Sequence, residues 1–302
     1  MIMNIPENIT EFLYWIKERT ELFWSIDPKT SSNEFVCEDW IFGAKWIGLS
    51  TKEIDEIEAK YSVKFTYEHR EFLRILHTID RKEKIEYPET FEEDSKIIIE
   101  ERPFFYNWIT DEEEIFEILK WPFETIFEDV IGANKVWLKS WGKRPKSEIQ
   151  MKNIFKSWYE KAPKLVPIYS QRFSVSESNL KFNPILSIWG SDVVVYGWNF
   201  RSYLLNELKD QLDVRKNIYD DEDDFYYPEL INEVQAVFDE DFKFNENKDI
   251  PFWKELILIW NSGWSSFGLK YPGQENKNVF AIRKTYVPDG EENEQKTFND
   301  FQ

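Results

Sequence analysis

The sequence predicts an α+β fold in which a mostly antiparallel sheet packs with several helices in a single domain. Two patterns lead to this prediction. Apolar residues recur at helical spacing behind capping residues, and short β-branched or aromatic runs lie between turn-forming residues, as strands do. Of the 302 residues, 42% are hydrophobic and 18% are aromatic, which is sufficient for a sizeable core.

Helix caps mark three predicted helices in the N-terminal part of the chain. The first covers residues 8–24, where the Asn8 side chain can accept hydrogen bonds from free backbone N–H groups. Ser50 and Glu53 have the spacing of a capping box and open the second helix. The third opens at Thr66 and is predicted to place four apolar side chains on one face: Phe72, Leu73, Leu76 and Ile79.

Two more helices and five strands are predicted further along. Thr110 with Glu113 opens a helix that Pro122 is expected to stop, and Ser147 with Gln150 opens another. The predicted strands are residues 97–99, 136–138, 165–169, 185–189 and 193–196.

The last third of the chain begins with an acidic run at residues 220–224. Two helices are predicted after it, one opening at Pro228 and one containing Trp253, and the polar stretch from Pro288 resembles a loose tail. The chain is therefore divided into an N-terminal helical extension (1–40), an α+β core (41–208), a helical part packed on that core (209–270) and a polar, loose tail (271–302).

The charge is strongly negative, with 57 acidic and 38 basic side chains and a formal net charge of -19. Nucleic acids and anionic membranes would repel such a surface, so neither is expected as a partner, whereas a basic protein would be attracted. Solubility alone is the simpler explanation of the same charge.

Targeting signals do not stand out in the sequence. Charged residues interrupt the first apolar stretch, and no run approaches the roughly 20 apolar residues of a membrane span. Cys37 is the single cysteine, so no intrachain disulfide can form. A soluble cytoplasmic protein is expected.

Candidates for chemistry are few. His69 and His77 are eight residues apart on one predicted helix, roughly 12 Å from each other, so a shared metal ion is not expected and a structural role at a surface or half-buried position is. The acidic run lacks the glycine of a calcium loop, since Phe225 takes its place. We expect no catalytic residue, metal or cofactor, although a carboxylate pair in a glycoside hydrolase is an alternative.

Several segments occur in an order and spacing that resemble one family. They are the Gly48-Leu49-Ser50 helix opening, Tyr106-Asn107-Trp108, Trp141-Gly142-Lys143-Arg144-Pro145, Pro167-Ile168-Tyr169 with Arg172, and the run from Asn183-Pro184 through Asp192 to Tyr196-Gly197. Across residues 41–208 the chain resembles the SUKH superfamily, which includes bacterial immunity proteins and fungal cell-wall regulators.

The resemblance implies an α+β domain without catalytic residues, whose bacterial members neutralise toxins, many of them nucleases. The motif residues would then be structural: Trp108, Trp141, Gly142, Pro145, Pro167, Arg172, Asn183, Pro184, Asp192, Tyr196 and Gly197. Pro184 can begin a strand and Gly197 can permit a turn before a helix. A buried ion pair between Arg172 and Asp192 is a further hypothesis.

The resulting hypothesis is a non-enzymatic immunity protein that binds and neutralises a cognate basic toxin, such as a nuclease. The candidate contact residues are Asp220, Asp221, Glu222, Asp223, Asp224, Tyr226 and Tyr227, where carboxylates adjoin aromatic rings, and the neighbouring Phe225 is expected to help anchor the partner. A solvated loop is the alternative for this run. For the whole protein, the alternatives are a regulatory or scaffold protein of cell-envelope synthesis and a carbohydrate-active enzyme.

Overall fold

A computed structural model describes residues 3–32, 35–90, 95–177, 179–243, 245 and 247–260. The chain divides into two compact units: unit 1 contains Met1–Glu112 and Phe200–Val237, and unit 2 contains Glu113–Asn199 and Phe238–Gln302. Each unit combines helices with antiparallel strands, which confirms the α+β class. The predicted core range 41–208 contributes to both units, and the predicted tail 271–302 lies outside the described residues.

Helices and strands alternate irregularly along the chain. The helices of the described residues are α1 (Ile9–Trp24), α2 (Thr51–Tyr61), α3 (Tyr67–Ile75), α4 (Glu112–Ile131), α5 (Glu148–Tyr159), α6 (Phe200–Glu207), α7 (Asn232–Phe242) and α8 (Trp253–Trp260). Their strands are β1 (Trp46–Ile47), β2 (Thr78–Ile79), β3 (Lys82–Pro88), β4 (Ile97–Pro103), β5 (Lys164–Tyr169), β6 (Arg172–Ser176), β7 (Ile185–Trp189), β8 (Asp192–Gly197), β9 (Arg215–Asp220) and β10 (Phe225–Leu230).

The first two helices begin where their caps predict. The Asn8 side chain accepts from two backbone N–H groups at the start of α1, and Ser50 and Glu53 form both bonds of a capping box on α2. The third helix is shorter than predicted. It ends at Ile75 because His77 adopts a left-handed backbone with φ of 48°, and Ile79 therefore lies in β2 instead of on the helix face.

Pro122 does not stop α4, contrary to the prediction. The helix continues to Ile131 with Pro122 inside it. A proline removes one helical hydrogen bond, but the residues beyond it, Ile126 and Val130, are fully buried in the core of unit 2. Burial of this apolar face outweighs the lost bond.

Unit 2 is organised around a four-stranded antiparallel sheet in the order β5-β6-β7-β8. The predicted strands at 165–169, 185–189 and 193–196 correspond to three of these strands. The predicted strand at 136–138 is wrong, since these residues lead into a short 3-10 helix, Lys139–Trp141. Val136, Trp137 and Leu138 are all buried. A short run of apolar residues has the same sequence pattern in a buried strand as in a loop that fills a core, so the pattern alone does not separate the two.

Aromatic side chains fill the core of unit 2. Trp253 of α8 packs edge-on against Trp158 with 5.6 Å between ring centroids, and its indole N–H donates to the Pro163 carbonyl at 2.8 Å. Phe155 and Phe173 are also fully buried in this cluster. The aromatic residues of this unit are thus used largely for packing. The buried indoles differ in hydrogen bonding: Trp137 and Trp253 donate to backbone carbonyls, whereas the indole N–H groups of Trp141 and Trp158 are buried without an acceptor among the described residues.

The strands of unit 1 form separate two-stranded antiparallel pairs, β1-β2, β3-β4 and β9-β10. A helix was predicted to open at Pro228, but this residue lies in β10, and the helix α7 begins at Asn232. Ile231 N–H donates to Val214 O at 2.9 Å, so by alternation Pro228 occupies a non-hydrogen-bonded pair with Asn217. Its missing N–H faces away from β9, which makes proline acceptable there.

Candidate binding surface

The acidic run forms the tip of the β9-β10 hairpin. Asp220 accepts from the backbone N–H groups of Glu222 and Asp223 at 2.8 and 3.3 Å, which folds the chain into a tight turn. Asp224 closes the turn in a left-handed conformation with φ of 50°, which aspartate tolerates better than most residues. The carboxylates at 221–224 are all exposed.

Aromatic rings occupy both faces of this hairpin next to its tip. Tyr219 and Tyr226 are cross-strand partners on one face, with ring centroids 5.0 Å apart. Phe225 and Tyr227 contact each other at 5.2 Å on the opposite face. The exposed fractions are 44% for Tyr219, 58% for Phe225 and Tyr226, and 42% for Tyr227. Rings this exposed on both sides of a hairpin are available to a partner.

The tyrosines also position the acidic groups. Tyr227 OH donates to Asp223 Oδ2 at 2.7 Å, and Tyr219 OH donates to Asp224 Oδ1. These bonds to carboxylates raise the pKa of both phenols. Two carboxylates of the turn therefore have fixed directions instead of rotating freely in solvent.

The structure brings together all seven residues predicted as contacts, on one hairpin. It adds Tyr219 and the 39% exposed Ile218, which the sequence did not single out. A hairpin signal was present in the sequence, since Tyr219 and Phe225 flank an acidic stretch of turn-forming residues. Pro228 instead favoured a helix start, because proline is common at the first position of a helix.

Most of the family-motif residues lie in unit 2. Arg172 Nη1 donates to Ser187 Oγ at 2.9 Å, and its guanidinium lies 3.9 Å from the centre of the Tyr196 ring. The hypothesis of a buried ion pair between Arg172 and Asp192 is wrong, because Asp192 is exposed at the start of β8. Partial desolvation and the nearby Asp129 raise the pKa of Asp192.

The Trp-Gly-x-Arg-Pro motif shapes the loop before α5. Gly142 has a φ of 78°, and its carbonyl accepts from the Trp137 indole at 2.8 Å. Arg144 Nη2 donates to the Val130 carbonyl at 2.7 Å near the end of α4. Trp141 is buried, and Pro145, four residues later, is half-buried. These contacts connect the loop to the end of α4.

The remaining motif residues of unit 2 occupy strand ends and pairs. Pro167 is buried opposite Phe173, and β7 begins directly after Pro184, whose carbonyl accepts from Val175 N–H at 3.0 Å. Asn183 is half-buried just before it, and Gly197 is the last residue of β8. The expectation that Pro184 begins a strand is thus confirmed to within one residue.

Asp129 of α4 holds the turn between β7 and β8. It accepts from the Ser191 N–H and hydroxyl at 2.6 and 2.7 Å and from the Asn134 amide at 2.7 Å. Gly190 adopts φ of 59°, and a Cβ there would lie 2.3 Å from an Asp129 oxygen. The negative charge of Asp129 also contributes to the raised pKa of Asp192. The hydrogen bonds from Ser191 and Asn134 fix the position of the Asp129 carboxylate in this turn.

Both histidines are buried in unit 1, so their expected surface or half-buried placement is wrong. Phe65 and Phe200 pack on the His69 ring with centroids 4.6 and 5.1 Å away, and burial lowers the pKa of His69 to about 3. His77 follows α3 instead of sharing it, accepts from the Trp108 N–H at 3.0 Å, and has a pKa lowered by burial to about 4.

Searches of family models, curated proteins and solved structures find no match to this chain. Within the part of the chain that the structure describes, no group of three or more His, Cys, Asp or Glu side chains could hold a metal ion. In the same residues, none of the helices has the length and apolar character needed to cross a membrane.

Proposed function

We propose that this protein is a non-enzymatic immunity protein that binds and neutralises a basic cognate toxin, such as a nuclease. The observation that carries the proposal is the β9-β10 hairpin, which joins an exposed acidic turn to four exposed aromatic rings. The resemblance of residues 41–208 to the SUKH superfamily supports the same function. Within this proposal the protein acts in the cytoplasm, where a toxin would reach its target.

The two groups of side chains on the hairpin have different roles in the proposed complex. The carboxylates of residues 220–224 attract the basic groove of a toxin and increase the rate of encounter. Phe225 and Tyr226, the most exposed of the four rings, are buried on binding and slow dissociation. The bonds from Tyr219 and Tyr227 limit the entropy that the turn loses on binding.

The first experiment identifies the partner genetically. The gene beside this one is expressed in cells with and without this protein, and growth and co-purification are measured. Rescue of growth together with a stable complex is expected. Growth unaffected by the neighbouring gene, or toxicity that this protein does not relieve, would argue against immunity.

The second experiment tests the acidic turn with matched variants. Asp220, Asp221, Asp223 and Asp224 are changed to Asn, and in the control variant four exposed glutamates of α4 are changed to Gln: Glu113, Glu114, Glu124 and Glu128. Both variants remove four negative charges. The association rate at low salt is expected to fall roughly tenfold or more in the Asn variant and much less in the control. Equal losses would assign the effect to net charge instead of to the hairpin.

The aromatic residues are tested by dissociation. Tyr226→Ala is expected to speed dissociation roughly tenfold or more, while Tyr67→Ala on α3, where the side chain is similarly exposed, should leave it unchanged. An unchanged dissociation rate in the Tyr226 variant would contradict the anchoring role.

A further inference from the structure

The two outer edges of the β3-β4 hairpin differ. Glu89 N–H donates to Lys96 O at 2.9 Å, and hydrogen-bonded pairs alternate along an antiparallel ladder. In β4 the backbone groups of Ile98 and Glu100 therefore point towards β3. Those of Ile97, Ile99 and Glu101 point outwards.

The outer edge of β3 is protected against pairing along its length, whereas the outer edge of β4 is open in its first half. By the same alternation, β3 presents Lys84, Glu86 and Pro88 at its outward positions, and charges and prolines are what block pairing with another strand. In β4 the first outward positions hold Ile97 and Ile99, whose side chains are 54% and 59% exposed, and Glu101 and Pro103 follow only towards the end of the strand. Among the described residues, β4 pairs only with β3.

We propose that β4 pairs with β4 of a second copy of this chain, antiparallel, about a twofold axis through Ile98. In this register Ile97 lies opposite Ile99 on one face of the new sheet, and the two Ile98 side chains meet on the other. Lys96 lies opposite Glu100 of the partner copy, twice by symmetry, and adds a second cation beside the Arg102 guanidinium that already donates to Glu100 at 2.8 and 3.1 Å. The strand is thus complementary to itself in both apolar character and charge.

Neighbouring registers lack this complementarity. An axis through Ile99 places Lys96 opposite Arg102 and Ile97 opposite Glu101. An axis through Glu100 places the two Glu100 carboxylates opposite each other and Ile97 opposite Pro103, which has no N–H to donate. Registers displaced by one residue set outward backbone groups against inward ones and form no ladder. An axis through Ile97 sets Lys96 opposite Ile98, so Lys96 loses the opposite charge that it meets in the Ile98 register. The charges and the proline therefore favour the Ile98 axis.

Pairing also completes a sheet that is small by itself. A two-stranded hairpin is marginally stable in water, and the dimer turns two of them into one sheet of four strands, β3-β4-β4-β3. Tyr87 lies opposite Ile98 in β3, so the face around the axis gains a tyrosine from each copy. The interface uses residues distinct from the β9-β10 hairpin and is independent of the proposed toxin complex.

The test is the mass of the full chain in solution, measured by sedimentation equilibrium over a concentration series. The unmodified protein is expected to dimerise. Ile97→Lys should weaken the dimer at least about tenfold, because two like charges enter an apolar strand pair. Ile149→Lys is the matched control on α5, where the side chain is 74% exposed, and should dimerise as the unmodified chain does.

Charge reversal tests the register. Lys96→Glu and Glu100→Lys should each lose self-association, since each then sets like charges opposite one another, and an equimolar mixture of the two should form heterodimers. Circular dichroism of both variants is the control for folding, and spectra like that of the unmodified chain are expected. A monomeric unmodified protein would overturn the proposal, as would a dimer unaffected by Ile97→Lys or variants that fail to pair when mixed.

Discussion

The two units use antiparallel strands in opposite ways. In unit 2, four strands form one sheet whose inward residues, such as Phe173 and Ile188, are fully buried in an aromatic core. In unit 1 the strands form separate pairs, and the β3-β4 and β9-β10 hairpins expose isoleucine, phenylalanine and tyrosine to solvent. On these strands the same residue types therefore pack into the core in unit 2 and face solvent on the two hairpins of unit 1.

The largest expected difference comes from removing a phenylalanine ring in each unit. Phe173→Ala on β6 should lower the free energy of unfolding by about 3–5 kcal/mol, because it leaves a cavity in a packed core. Phe225→Ala on β10 should lower it by less than about 1 kcal/mol, since the ring is already more than half exposed. Urea unfolding followed by circular dichroism measures both. Similar losses would mean that the hairpin contributes to folding as the sheet does.

Mild acid should lower the free energy of unfolding of unit 1 through its two buried histidines. Their folded pKa values, about 3 for His69 and about 4 for His77, lie below the unfolded value near 6.5, so the unfolded chain binds protons first. Stability contributed by the neutral rings is present above pH 6.5 and falls as the pH decreases towards 4. At pH 5 the loss is about 2 kcal/mol for each histidine.

The measurement for this prediction is urea unfolding at pH 7 and pH 5, a range above the titration of most carboxylates. The free energy of unfolding should differ between pH 7 and pH 5 by about half as much in His69→Leu as in the unmodified chain. Because each protein is compared with itself at the two pH values, the effect of the substitution at pH 7 cancels. An identical pH dependence in the variant would show that His69 is not responsible.

The smallest effect concerns the turn between β7 and β8 in unit 2. Asp129→Ala should lower the free energy of unfolding by about 2 kcal/mol, because the Ser191 N–H and hydroxyl lose a charged acceptor. Glu128→Ala changes the adjacent, exposed residue of α4 and should alter the free energy of unfolding by less than about 0.5 kcal/mol. Urea unfolding under the same conditions compares the two, and equal losses would contradict the role of Asp129.

Local signals in the sequence predicted local structure well. The caps at Asn8 and Ser50 identify the starts of α1 and α2, since capping depends on a few neighbouring residues. Strands β5, β7 and β8 were predicted from β-branched runs for the same reason. Errors occurred at Pro122 and Pro228, because the effect of a proline depends on what the surrounding segment packs against or pairs with.

The candidate binding surface was predicted in composition but not in shape. The acidic run and its aromatic neighbours were evident in the sequence, and the seven predicted residues do occur together. Their arrangement as a two-faced hairpin, with Tyr219 added from β9, depends on strand pairing between residues that are not adjacent in sequence. The division of the chain into two units was likewise invisible, since residues distant in sequence contribute to each unit.

By itself the sequence determined the α+β class, the starts of α1, α2 and α3, the acidic charge and the scarcity of histidine and cysteine, because these follow from composition and short-range spacing. Tertiary structure decided which aromatic residues are buried and which exposed, where both histidines lie, and which strand edges remain open. The physical reason is that burial and strand pairing are long-range: a ring at one position is core or surface according to segments far away in the chain.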